Sequence, residues 1–542
     1  MIAYGPIDLF LALKWYHFPS MKGLPAETDF VIIGAGVAGL RAAIELAQAG
    51  RVLVLAKKEL TKAHATSSPT GLSAVLSDED EITLHLQDTL TAGDGLCNPT
   101  AVKILVEEGA ERIDELIAWG THGDRRGTKL VFGPETGHSK GRLLHAQGDS
   151  TGTEILRVLS AKAHALKHIS IAEFAFSTSL ILDGDRITGL ALIDDKGLPQ
   201  EVSCSAVLLA TGAMGQIYRN TTNLEGATAD GIGLAVNAGA EIGDMEFVQF
   251  HPTVLYLKKA PRFLLSEALR TEGAHLRNIE LDRFMGKYHP LGELAPRDLM
   301  ARAIVHEMEV SRTKDPFVYL DLTHLNPAKV QKRFPRVYAT FMQHNIDITE
   351  DLIPLRPAAH FAMGGVRTDL DGRTSVGGLY AAGEVAATGV HGANRLPSNS
   401  LLESLVYGAR AGRAMRQELK STGKAPAHPK PAYSNGPVDA GVEEVIGKMQ
   451  DLMWNEVGIV RTRVAMQKAV KELEEMASRL ASPKTRRAYE ASNMHTAALL
   501  VARSALAREE SRGAHYRIDY PDHDDRKFLK HSVVRNGKIV FQ

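Results

Sequence analysis

Phe30-Val31-Ile32-Ile33 runs directly into Gly34-Ala35-Gly36-Val37-Ala38-Gly39 and on into Leu40-Arg41-Ala42-Ala43-Ile44-Glu45-Leu46-Ala47. An apolar run, glycines at its first, third and sixth following positions, and then a helical pattern let the backbone turn tightly and set a pyrophosphate on the amides of a helix N-terminus. A second apolar run, Val52-Leu53-Val54-Leu55, completes a strand–helix–strand unit and makes the glycines a dinucleotide site rather than a structural turn. The glycines alone do not name the cofactor. Such sites commonly end the second strand in Asp or Glu to take the ribose hydroxyls, whereas here Ala56-Lys57-Lys58 follows and Glu59 meets the spacing only loosely. Ala206-Val207-Leu208-Leu209-Ala210-Thr211-Gly212-Ala213 is a further buried strand ending in a small-residue turn, which brings a second backbone segment to the cofactor. Together these features favour FAD over a nicotinamide.

Working outward, the 542-residue chain is 44% hydrophobic and 23% charged, enough for two to four domains with sizeable cores. Its formal net charge of -1 argues against nucleic acid as a main ligand. Cys97 and Cys204 are the only cysteines, too few for a disulfide framework or a cysteine-held metal or iron–sulfur centre, and a reducing compartment is expected. Within an N-terminal extension, residues 1–28, the apolar stretch Ile7 to Leu13 lacks a basic start and a small-residue cleavage site and is too short to span a bilayer. A cytoplasmic protein with no membrane partner is expected.

The organisation is discontinuous. Gly364-Gly365-Val366, Gly377 to Glu384 and Gly408 resume the glycine-rich character of the front of the chain. The pattern predicts an α/β fold: a Rossmann-like FAD-binding domain in two parts, 29–245 and 352–425, interrupted by an α+β capping domain over 246–351. A Pro-rich linker, 426–437, precedes a C-terminal helical domain over 438–542, where Val442, Val445, Ile446, Met449, Leu452 and Met453 recur at helical spacing.

Four cationic side chains stand beside Gly or Pro in otherwise scattered segments: His251 before Pro252, Arg297 after Pro296, His360 after Pro357-Ala358-Ala359, and Arg395 after His391-Gly392-Ala393-Asn394. Around a flavin they suggest a dicarboxylate cradle, Arg supplying bidentate donors and His the remainder.

At these motifs the chain resembles the flavoprotein family of succinate dehydrogenase, fumarate reductase and L-aspartate oxidase, over about Asp29 to Asp525. The carriers are Gln249-Phe250-His251-Pro252-Thr253, Glu267-Ala268-Leu269-Arg270-Thr271-Glu272-Gly273, Ala295-Pro296-Arg297-Asp298, His391 to Arg395 with Ser398 to Leu402, and Glu509 to His515. The resemblance implies FAD held by Gly34 to Gly39, Lys57, the loop His64-Ala65-Thr66-Ser67-Ser68-Pro69-Thr70-Gly71, Asp230, Glu384 and Ser400-Leu401. It also implies that Arg395, His251 and His360 hold carboxylates, that Ser266 takes a hydroxyl position where Thr is usual, that Gln249 belongs to the site, and that Arg297 exchanges a proton with Glu267 and Arg270 as relay. An arginine can do so only with burial, neighbouring cations and a relay, because its pKa exceeds 12.

Within that family, Glu135, in Val131-Phe132-Gly133-Pro134-Glu135-Thr136-Gly137-His138-Ser139, decides between the two main activities. It matches the acidic residue that faces a substrate ammonium in L-aspartate oxidation, and a succinate would leave it unpartnered at roughly 1–3 kcal/mol. Two positions depart from the pattern. The family's Ala-Gln-Gly-Gly beside the flavin is Ser68-Pro69-Thr70-Gly71, and His64 stands where succinate dehydrogenases link covalently to FAD; dissociable FAD is expected nonetheless. The expected reaction is oxidation of L-aspartate to iminosuccinate, with oxygen or fumarate as acceptor, as the first step of NAD (quinolinate) biosynthesis with possible hand-off to quinolinate synthase. The alternative is a soluble fumarate reductase or succinate dehydrogenase flavoprotein subunit.

Overall fold

A computed structural model describes residues 23–60, 71–76, 80–126, 129–146, 151–257, 262–421 and 440–542. At its centre five parallel strands lie in the order Leu379–Ala381, Ala206–Leu209, Phe30–Ile33, Val52–Ala56 and Ile169–Glu173. Every residue of the three middle strands is buried. Val31, Ile33, Leu53, Leu55, Val207 and Leu209 face one apolar core, while Phe30, Ile32, Val52, Val54, Ala206 and Leu208 face another. The sheet is therefore covered on both faces, which is why these strands read as continuous apolar runs rather than as alternation.

The helix Val37–Leu46 leaves the first strand and packs against Asn399–Met415. Small residues set that closeness: a Cβ on Gly408 would lie 2.6 Å from the Ala38 carbonyl oxygen, and one on Gly412 2.8 Å from Glu45 Cβ. Gly34 adopts φ +113°, and a side chain there would drive into the carbonyl of Ala210. Both ends of the glycine motif are thus required by packing.

A four-stranded antiparallel sheet, ordered Val248–Leu255, Ile353–Ala362, Val318–Asp321 and His275–Arg277, surrounds its own core of Leu265, Leu269, Phe284, Ile304 and Leu355. Its two longest strands bring His251 opposite Ala358, and the register slips between Gln249 and Phe250, leaving His360 unpaired in the ladder. Such a bulge re-aims a side chain.

Three helices, Ala440–Glu456, Arg463–Met476 and Arg486–Ala507, form the expected C-terminal bundle. The chain does not end in helix, however. The hairpin Ser532–Arg535 and Lys538–Phe541 returns to pair with Ile242–Gly243, and its alternation over so few residues carries no strand signal strong enough to read alone. Among the described residues no helix is long and apolar enough to cross a membrane.

Candidate active site

Gln249, on the strand Val248–Leu255, is the hub of the site. Its Oε1 accepts from Arg297 Nη1 at 3.2 Å and from Arg395 Nη2 at 3.1 Å, and its Nε2 donates to Asn394 Oδ1 and the Arg395 carbonyl. One neutral amide thereby spaces two buried guanidiniums that would otherwise repel. Arg297 opens the helix Arg297–Val310 because Pro296, which cannot continue a helix backward, stands at its N-cap. Its Nε donates to Glu267 Oε1 at 2.9 Å, and Arg270 Nη2 donates to the same oxygen at 2.9 Å. Ser266 caps the short helix that carries Glu267 and Arg270, its hydroxyl accepting from the Ala268 amide.

The fields on these groups diverge. Burial raises the Glu267 carboxyl, but Arg297 and Arg270 outweigh it and hold it at about 2. Burial opposes charge on Arg297, yet Glu267 keeps its pKa above the ordinary value. Arg395, which has no such carboxylate bond, is lowered to about 9 by burial and by Arg297. Its guanidinium stacks on Phe361 at 4.5 Å, its Nη1 donates to Ser400 Oγ, and its Nε is buried without a partner among the described residues.

His251 and His360 meet edge to face, ring centroids 5.3 Å apart. Both are held neutral, first by burial and then by the arginines. His251 Nδ1 accepts from the Thr253 amide and His360 Nδ1 pairs with Thr222 Oγ1, while His251 Nε2 is buried with no partner among the described residues. Unsatisfied donors on a His and an Arg around one space are what a carboxylate ligand would satisfy.

Glu135 enters from a loop anchored by Ser139 and Arg142 on Asp88, and its Oε2 accepts from Ser398 Oγ at 2.5 Å. Burial and the nearby Glu267 push its carboxyl up to about 7, against the pull of Arg297. The structure thus brings Glu135, Gln249, His251, Glu267, Arg270, Arg297, His360 and Arg395 around one site, with Ser266 capping the helix beneath it.

The residues expected to hold the cofactor that are described lie at or near the ends of strands and helices. Among the described residues nothing lies within 4 Å of where a Cβ on Gly36 would stand, at the N-terminus of the helix Val37–Leu46, which no side chain caps, beside Ala35, Val37, Ala38 and Gly39, an open approach of the kind a pyrophosphate uses. Lys57 Nζ bonds to Asp230 Oδ2 and Thr228 Oγ1, each at 2.6 Å, and reaches Glu490 of the C-terminal bundle. Glu384 accepts from the Ala362 amide, its one hydrogen bond among the described residues, and burial lifts its carboxyl to about 8. Ser400 and Leu401 occupy the first turn of Asn399–Met415, entered through Ser398 at φ +65°. Gly71 lies beside His145 and Leu143. His64, Ala65, Thr66, Ser67, Ser68, Pro69 and Thr70 lie outside the described residues.

Sequence reasoning did not single out Thr222, Thr228 or Asn394 as functional, nor Ser398 as the partner of Glu135. The run Asn220-Thr221-Thr222-Asn223 was a visible polar cluster, but its pairing with His360 is a tertiary event.

Comparison agrees with this geometry. The family described as FAD binding domain matches residues 29–401, and that described as fumarate reductase flavoprotein C-term matches 447–541. An L-aspartate oxidase of Streptomyces coelicolor is 40% identical over 96% of this chain and 93% of its own length. L-aspartate oxidase 1 of Ralstonia nicotianae is 41% identical over 91% and 95%. A mutant FrdA chain of E. coli quinol fumarate reductase superposes with TM-score 0.86 at 30% identity, covering 95% of this chain and 96% of that one. Fold and site define an FAD-binding oxidoreductase. The chain belongs to the succinate dehydrogenase/fumarate reductase flavoprotein family and, within it, to the L-aspartate oxidases.

Proposed function

We propose that this protein oxidises L-aspartate to iminosuccinate in the cytoplasm, as the first step of de novo NAD biosynthesis, with oxygen or fumarate as acceptor and quinolinate synthase receiving the product. The observation that carries the substrate is Glu135, a carboxyl among guanidiniums that has only the Ser398 hydroxyl as a hydrogen-bond donor among the described residues. FAD, when bound, supplies the two-electron acceptor. Arg395, His251 Nε2 and His360 hold the two carboxylates of the substrate, and Gln249 keeps the two arginines apart. Glu135, raised to about 7, faces the α-ammonium, pairs with it and takes its proton at a carboxylate oxygen, freeing the nitrogen lone pair that becomes the imine.

Arg297 has the opposite task. It donates hydrogen bonds to a substrate carboxylate and delivers a proton to carbon when fumarate is the acceptor; because Glu267 raises its pKa and so opposes that transfer, the proton is replaced through Glu267 and Arg270 as it leaves. Two groups with pKa values pushed apart thus divide acid and base work in one site. Lys57, Asp230, Glu384 and the amides from Gly36 to Gly39 and at Ser400-Leu401 would hold the cofactor. Replacing Arg395 by Leu tests the cradle: L-aspartate and fumarate should both cease to perturb the flavin spectrum, and retained binding with a lower rate alone would contradict it.

A further inference from the structure

A cavity of about 520 Å³ lies away from the site just described, at the junction of the capping sheet, the loop before Asn220 and the C-terminal helix Ala440–Glu456. Among the described residues its wall carries four cations, Arg219, Arg262, Lys314 and Arg356, against one carboxylate, Asp315. That carboxylate is already engaged: Arg356 Nη2 donates to it at 2.7 Å and the Tyr256 hydroxyl at 2.6 Å. Arg219 pairs outward with Asp451. Arg262 makes no ion pair among the described residues, feeling Asp315 only at longer range; its guanidinium lies 4.8 Å from the Tyr256 ring centre, with that of Arg356 3.9 Å from the same centre, and its Nη1 is buried with no hydrogen-bond partner among the described residues. Burial, with Arg356 and Arg219 adding repulsion, lowers its pKa. Crowded guanidiniums with a buried, unfilled donor cost free energy unless an anion enters.

We propose that this cavity binds a small organic anion of at least two negative charges, phosphate- or carboxylate-bearing, at a site separate from the FAD and substrate positions. Its volume falls within the range of ligand pockets, and paired guanidiniums match the oxygen geometry of both anion types. None of its lining residues belongs to the dicarboxylate cradle. Two elements nevertheless join the sites. Arg356 stands four residues before His360 on the strand Ile353–Ala362, roughly 13 Å along it, and Met308 lines the cavity near the end of the helix that Arg297 begins. An anion held there fixes both elements against the helical bundle and so modulates the substrate site.

Trp454 also lines the cavity and reports on it. Pyrophosphate and citrate are titrated separately into the FAD-loaded full-length protein, following tryptophan emission and calorimetric heat. The expected result is saturable one-to-one binding of at least one of them below about 1 mM, with the emission change lost in Trp454→Phe. Tighter pyrophosphate assigns a phosphate ester and tighter citrate a polycarboxylate. Arg262→Gln should weaken binding at least tenfold, and the exposed Lys314→Gln, which leaves the fold untouched, about threefold. No saturable binding of either anion, unchanged affinity in both variants, or competition by fumarate that Arg395→Leu abolishes would overturn the proposal. This outcome is independent of whether L-aspartate is the substrate.

Discussion

Glu135 and Arg297 sit in one buried field and are driven in opposite directions, so pH separates their roles. In the free enzyme the Glu135 carboxyl titrates near 7 because burial and Glu267 disfavour its charge. Below that pH it is neutral and cannot pair with the ammonium; above it, it is ionised. The kcat/KM for L-aspartate should therefore climb as pH rises through about 7, and Glu135→Gln should lose that limb along with about 10- to 100-fold of kcat/KM, or roughly 1.4–2.7 kcal/mol. A pH profile identical in the variant would remove Glu135 from the reaction. Arg297→Leu should differ in kind. With Arg297 as the proposed proton donor to fumarate, that half-reaction should fall at least 100-fold while reduction of the enzyme by L-aspartate falls less. Equal loss in both half-reactions would contradict the division of labour.

Among the elements, the turn from Phe30–Ile33 into Val37–Leu46 offers a paired test, because its glycines do different things. Gly36 has an ordinary φ of −79° and nothing where a Cβ would stand, so Gly36→Ala should leave the apoprotein's Tm nearly unchanged yet weaken FAD at least tenfold. A Cβ on Gly39 would collide with the Gly34 carbonyl, so Gly39→Ala should lower the Tm of the apoprotein itself. Equilibrium FAD titration and thermal unfolding of both variants check this; equal effects on fold and cofactor would show that the open space at Gly36 is not the phosphate seat. This turn was legible in sequence because spacing and apolar patterning are local. So were Gln249, Arg297 and Arg395 as members of recognisable motifs. What sequence could not show is which oxygen each guanidinium meets: that Gln249 bridges Arg297 and Arg395, that Thr222 fixes His360, and that Lys57, at a position where such sites commonly carry an acid, pairs with Asp230 and with Glu490 from a distant helix. Those partners are set by tertiary packing across hundreds of residues, whereas the closing hairpin Ser532 to Phe541 escapes a sequence reading because its two four-residue strands carry too short an alternation.

Across the whole molecule, buried charge joins the C-terminal part to the rest. Arg508 and Glu246, both fully buried, pair at 2.7 Å, and Glu246 also accepts from Ser532 Oγ while its carbonyl accepts from Arg461. Glu246→Gln should destabilise by about 2 kcal/mol because it leaves the buried Arg508 with Glu510 as its one remaining carboxylate among the described residues, whereas Glu509→Gln, at the exposed pair with Arg463, should cost under about 1 kcal/mol. Denaturant unfolding of the two variants compares them, and equal losses would show that the buried network does not tie the parts together. The same assembled frame brings a carboxyl from a front loop, donors from the capping sheet and a late helix terminus around one space, where the proposal places the substrate. The most direct measurement of that claim is anaerobic mixing of the FAD-loaded protein with L-aspartate and, separately, with succinate, following the flavin absorbance near 450 nm. Rapid bleaching by L-aspartate and none on the same timescale by succinate is the predicted result; rapid bleaching by succinate with L-aspartate inert would contradict it.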